Sequence, residues 1–134
     1  MGNVIYHILT RSDLKESVKN NSYQPARYES DGFIHCAADP ATSLQVLEDY
    51  FAGLAESREI LILEIDVTRV KAEVKFEAPA PVAGLGPGHA DKHVLFPHIY
   101  GLLNLDAVVG IGKAARTGDA FVWPETFEDP NQYF

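Results

Sequence analysis

Phe96-Pro97-His98-Ile99-Tyr100-Gly101 is the stretch on which the reading of this chain turns. It carries no charge and lies between a glycine- and proline-rich segment and the last strands. Two upstream runs share its character, Ile5-Tyr6-His7-Ile8 and Gly32-Phe33-Ile34-His35-Cys36. Each sets one histidine inside an apolar strand, where a polar ring must find a hydrogen-bond partner or a ligand. The expectation is that His7, His35, His98 and Tyr100 converge on one pocket.

Outward from these runs, the pattern predicts strand, helix, strand, helix, then mostly strands. Residues 3–9 alternate with apolar side chains on both faces, which predicts a central strand. Thr10-Arg11-Ser12-Asp13 reads as a helix cap, and Asn20-Asn21-Ser22 as the end of that helix. Residues 23–31 look irregular, and a second strand is expected over 33–37. Asp39-Pro40 starts a helix whose core stripe is Leu44, Leu47, Phe51 and Leu54. Residues 59–67 make the clearest strand, and 72–77 is expected to pair with it. Residues 78–95 are dense in glycine and proline and read as a lid loop. Two more strands are expected over 107–111 and 120–123, then an acidic, aromatic tail. Helices gathered early and strands late predict an α+β fold with a small mixed or antiparallel sheet and two helices.

The 134 residues are expected to form one domain, 1–134, and 46% hydrophobic content is enough for a core. No run approaches a membrane span, and no secretory signal is read. A lone cysteine, Cys36, fits a reducing cytoplasm. With a formal net charge of −8 and eleven scattered Lys and Arg residues, nucleic acid and membrane are not expected partners.

The His7, His35 and Phe96–Gly101 motifs, with Gln45-Val46 and Glu77 between them, resemble those of the bacterial "domain of unknown function 952" family. The resemblance covers most of the chain. It departs in lacking a tryptophan near Ser17 and in a longer segment over 78–95. That family's fold is similar to that of ADP-ribosyltransferases and related RNA 2′-phosphotransferases, which hold NAD or an ADP-ribosylated intermediate between two small sheets. The resemblance therefore implies a split, ADP-ribosyltransferase-like sheet. It also implies a strand-borne histidine at the first site position, matched by His7, and a second position matched by His35. Either His98 or Glu77 would fill the third.

The residues leave three functional readings open. The leading one is a small-molecule enzyme acting on NAD or a nucleotide-like ligand, an ADP-ribosyl or related glycosyl transferase or hydrolase. In it His98 and Glu77 are catalytic, while His7, His35, Tyr100 and Arg11 bind the ligand. NAD enters as substrate, and no metal is needed. Arg27 is a further phosphate partner. The second reading is a non-catalytic nucleotide-binding module. The third is a metal-dependent hydrolase or isomerase using His89, His93 and His98, although a glycine-rich loop does not align ligands as a helix does. Beside each stands the ordinary alternative of a buried, satisfied histidine. Replacing His98 with alanine is expected to spare stability and remove ligand binding, with His35 the more structural of the two. Cys36 and His35 point to opposite faces and make no dyad. Gly110-Ile111-Gly112-Lys113 lacks the spacing and the Ser/Thr of a phosphate loop.

Overall fold

The computed structural model describes residues 3–54, 57–79, 94–117 and 120–134. The elements are β1 Val4–Thr10, α1 Arg11–Ser17, β2 Val18–Lys19, β3 Ser22–Tyr23, α2 Tyr28–Asp31, β4 Ile34–His35, α3 Pro40–Tyr50 and β5 Ile60–Asp66. They continue with β6 Glu73–Glu77, β7 Phe96–Tyr100, β8 Leu103–Asn104, β9 Val108–Lys113, β10 Ala115–Thr117 and β11 Ala120–Val122. Every strand pair among them is antiparallel, so the fold is α+β with small antiparallel sheets. The mixed alternative is not used.

Two three-stranded sheets, β1-β5-β9 and β4-β7-β6, carry the architecture. They meet at one point. Tyr6 and Ala37 exchange both main-chain hydrogen bonds, each 2.8 Å, and the strands part beyond them. In a regular ladder the next bonded pair would be Ile8 with His35. Here the His35 carbonyl instead accepts from the ring of His7, 2.6 Å away. A side chain thus takes the place of a ladder bond where the sheet opens.

β5 explains two differences from the predicted pairing. Its residues are almost all buried, and both its edges are used, by β1 and by β9. No edge remains for β6, which pairs with β7 from Glu73↔Tyr100 to Glu77↔Phe96. The predicted pairing of 72–77 with 59–67 is therefore corrected. β1 is likewise not central in a continuous sheet, because among the described residues its free edge holds only the bridge to Ala37.

Local chemistry sets the element ends. The Thr10 hydroxyl accepts from the Asp13 N–H at 3.1 Å, and the Asp39 carboxylate accepts from Thr42 N–H at 2.7 Å. Asn20 and Asn21 take positive φ of 53° and 61°, the geometry of a two-residue hairpin between β2 and β3. That hairpin replaces the plain helix end read from the same asparagines. Ile5, Leu9, Ile34, Cys36, Leu63 and Ile99 belong to the larger core. Ile8, Leu47, Ile62 and Phe121 form a second one under α3. The C-terminal tail packs: Glu128 and Ile111 exchange main-chain bonds of 2.9 and 3.0 Å, and Phe127 lies over β9. Among the described residues no helix is long and apolar enough to cross a membrane.

Candidate functional site

A cleft of about 400 Å³ opens where β1 and β4 part. His7, His35 and His98 all border it. The period of the strands nevertheless separates them. His35 shares a face with Ala37 and hence with Tyr6, while His7 shares the opposite face with Ile5 and Leu9.

His7 is buried, and both its ring nitrogens are engaged. A carbonyl only accepts, so Nδ1 carries the proton and donates to the His35 carbonyl. Nε2 then accepts from the Tyr23 hydroxyl at 2.8 Å. Burial lowers the His7 pKa to about 4 and pushes the Tyr23 hydroxyl up, so both stay neutral at pH 7. The ring expected to anchor a ligand is fully occupied by its own protein.

His35 and His98 face each other across the β4–β7 ladder, with ring centroids 5.7 Å apart. Nε2 of His35 lies 3.2 Å from the Asp31 carboxylate, at ion-pair distance but outside hydrogen-bond geometry. Burial lowers the His35 pKa, and Asp31 offsets part of that. Nδ1 of His98 lies 2.9 Å from Glu77 Oε1. The Tyr100 hydroxyl donates to the same oxygen. These two bonds hold the Glu77 carboxyl below the usual range, and the Tyr100 phenol is pushed up to about 12 by its bond to Glu77. An ionised carboxylate accepts, so His98 presents Nδ1–H to it. Phe33 stacks on His98 with centroids 3.9 Å apart, and also packs against His35 and Tyr100.

The expected constellation is thus partly regrouped. Glu77 and His98 are one hydrogen-bonded unit rather than rivals for one position. Tyr100 does not line the cleft; it braces Glu77 and lies under Lys75, whose ammonium is 4.9 Å from the ring. Arg11 is also not in the cleft. It pairs with Glu59 at 3.2 Å and lies over the Tyr133 ring. The reason is register: Arg11 follows the last β1 pair, Thr10↔Ile60, and so meets the chain just before β5. Arg27 does line the cleft, as does Arg58, which the sequence reading passed over. Phe33, which alternation puts on the His35 face, packs against both imidazoles.

Residues 80–93, with His89, Asp91 and His93, lie outside the described residues. The expected lid and metal loop fall mostly there. Among the described residues, no group of three or more His, Cys, Asp or Glu side chains is arranged to hold a metal ion. Cys36 is buried and its thiol pKa is raised by that burial, which makes it a core residue.

Residues 8–111 match the family described as "Protein of unknown function (DUF952)". The chain belongs to the DUF952 family. A crystal structure of protein CC0527 from Caulobacter crescentus is similar over 97% of both chains, with a TM-score of 0.67 and 20% identity. The solution NMR structure of CC0527 matches over 92% of both chains with a TM-score of 0.63, also at 20% identity. At that identity the likeness carries the fold alone. No curated protein matches the chain. For a DUF952 protein, function must therefore be argued from the cleft.

Proposed function

We propose that this protein is a small-molecule enzyme acting on NAD or another nucleotide-like ligand in the cleft where the sheet parts. The observation that carries this reading is the pair of cleft imidazoles, His35 and His98, each beside its own carboxylate. Glu77 fixes Nδ1–H of His98, which leaves Nε2 to exchange a proton with the ligand. His35, kept neutral by burial, is the base beside it. On NAD the nicotinamide departs neutral with the pair of the broken C–N bond and needs no proton, while an imidazole takes the proton of the water or acceptor hydroxyl whose oxygen bonds the sugar carbon. The reaction class is ADP-ribosyl or related glycosyl transfer or hydrolysis, on an ADP-ribosyltransferase-like split sheet.

Apolar and aromatic walls support a ligand with a flat ring. Phe51, Tyr50 and Phe96 line the cleft together with the polar groups. Glu77 is a positioning residue in this mechanism, since its carboxylate is taken by His98 and Tyr100.

The test is nicotinamide release from NAD, run beside thermal shifts with NAD, ADP-ribose and AMP. The parent protein is expected to be stabilised and to release nicotinamide, and His98→Asn to be stabilised without release. Stabilisation of the parent without turnover would make the protein a binding module. No stabilisation by any of the three would remove the nucleotide reading.

A further inference from the structure

We infer that the cleft has an anion subsite at Arg58, so that the ligand is a phosphorylated nucleotide rather than a nucleoside or free base. This deepens the proposed function and rests on it. Arg58 lies at the end of the cleft formed by the C-terminal end of β1. One of its terminal nitrogens is 3.3 Å from the Thr10 hydroxyl and 3.3 Å from the Ser12 hydroxyl. These are neutral partners. The other arginines of this region have stronger ties: Arg11 is paired with Glu59, and Arg116 binds the Leu54 and Ala52 carbonyls. Among the described residues no carboxylate lies at ion-pair distance from Arg58. Two hydroxyls hold one nitrogen of its guanidinium beside the cleft it lines, and among the described residues its charge has no carboxylate partner.

A guanidinium so held matches the oxygens of a phosphate, and each charge-assisted bond outweighs a neutral one. Asp13 lines the same cleft and repels phosphate, while a carboxylate accepts well from sugar hydroxyls. The two groups sort a nucleotide by its parts, with the phosphate at Arg58 and the sugar nearer Asp13. The spacing fits. Thr10 is three strand residues from His7, so the Arg58 end lies about 10 Å along β1 from the histidine end. A nucleotide bridges that span; a free base does not.

The experiment compares adenosine, AMP, ADP and inorganic pyrophosphate on the parent, on Arg58→Gln and on Arg69→Ala. Arg69 pairs with Asp66 away from the cleft and controls for net charge. The parent and Arg69→Ala are expected to bind ADP about tenfold or more tightly than adenosine. Arg58→Gln is expected to lose that preference and to keep its affinity for adenosine and its unliganded melting temperature. An ADP-to-adenosine ratio unchanged in Arg58→Gln overturns the subsite. Inorganic pyrophosphate separates the two claims. If no nucleotide binds but pyrophosphate stabilises the parent and not Arg58→Gln, the nucleotide reading falls and the anion subsite stands. If pyrophosphate also fails, both fall.

Discussion

His98 Nδ1 lies 2.9 Å from Glu77 Oε1, across the β6–β7 ladder. Two residues that compete for one role in the sequence act here as one unit. The ladder opposes Glu77 to Phe96, so His98 and Tyr100 follow on the same face, and both bond the same carboxylate oxygen. The imidazole is 2% exposed and stacked on Phe33. Deleting it therefore removes one of the two donors to Glu77 and opens a void beside the Phe33 ring. The expectation that His98→Ala would spare stability is reversed. Asparagine is the substitution that separates chemistry from fold, because its amide nitrogen sits where Nδ1 does and still donates toward Glu77.

Glu77→Gln is the matching test of positioning. The amide keeps the shape of the side chain and removes the charge that orients His98. Turnover is expected to fall about tenfold or more, at a nearly constant KM. Tyr100→Phe, which removes only a brace on Glu77, should fall less. A larger loss of turnover in Tyr100→Phe than in Glu77→Gln would mean that the phenol itself reaches the ligand.

His7 sets an acid limit on stability. Its folded pKa is lowered to about 4 from an ordinary value near 6.5. Between those values the unfolded chain binds the proton and the folded chain does not. Stability contributed by the neutral ring is thus fully present above about pH 6.5 and is lost as pH falls toward 4. The full effect is on the order of 3 kcal/mol. Urea unfolding of the parent from pH 4 to 7 should show this slope. Tyr23→Phe leaves Nε2 unpaired and should cost about 1–3 kcal/mol at pH 7. Equal stability at pH 7 and pH 5 would refute the neutral, buried His7.

The sequence exposed the strand-borne histidines because an imidazole in an apolar run is anomalous on its face. It could not show that His7 is satisfied, since His35 and Tyr23 are 28 and 16 residues away. It exposed β5 as a strand that opens on four consecutive apolar residues, Ile60 to Leu63, but not that both its edges are taken, by β1 and β9, which leaves none for β6. Asn20-Asn21 fits both a helix stop and a hairpin turn, and only the pairing of β2 with β3 selects the hairpin. Arg58 has no local signature at all. Only the register of β1 on β5, ending at Thr10↔Ile60, brings it to Thr10 and Ser12. Local chemistry thus marked the elements, while the pairing between distant segments chose which side chains share the cleft.

Arg116 ties down the turn that follows α3. Its terminal nitrogens donate to the Leu54 and Ala52 carbonyls at 2.8 and 3.0 Å, and the guanidinium lies over the Phe121 ring. Charge-assisted bonds to two carbonyls fix the turn in which they lie. Arg116→Met is expected to lose about 1.5–3 kcal/mol. Arg116→Lys should not recover it, because an ammonium cannot span two carbonyls as a planar fork does. Denaturant unfolding of both variants decides the matter, with full recovery by lysine counting against the fork.

The glycines of β9 explain how the tail seats. A Cβ on Gly112 would lie 2.7 Å from Pro124 Cγ and 2.9 Å from the Phe127 ring. One on Gly110 would lie 2.9 Å from both Phe127 Cβ and Glu64 Oε1. The run that mimics a phosphate loop is bare so that the C-terminal segment can lie against the strand. Gly112→Val is expected to lift Pro124 and Phe127 and to break the bond pair between Ile111 and Glu128. The single tryptophan, Trp123, reports this, since it packs edge-on against Tyr6 with centroids 5.1 Å apart and beside Phe127. Its emission should shift to longer wavelength and its quenching by acrylamide should rise, with a stability loss of about 1–3 kcal/mol. Tyr6 also borders the cleft, so the displaced tail should weaken ligand binding without touching either imidazole. An unchanged emission spectrum in Gly112→Val would mean that the tail is not seated by these glycines.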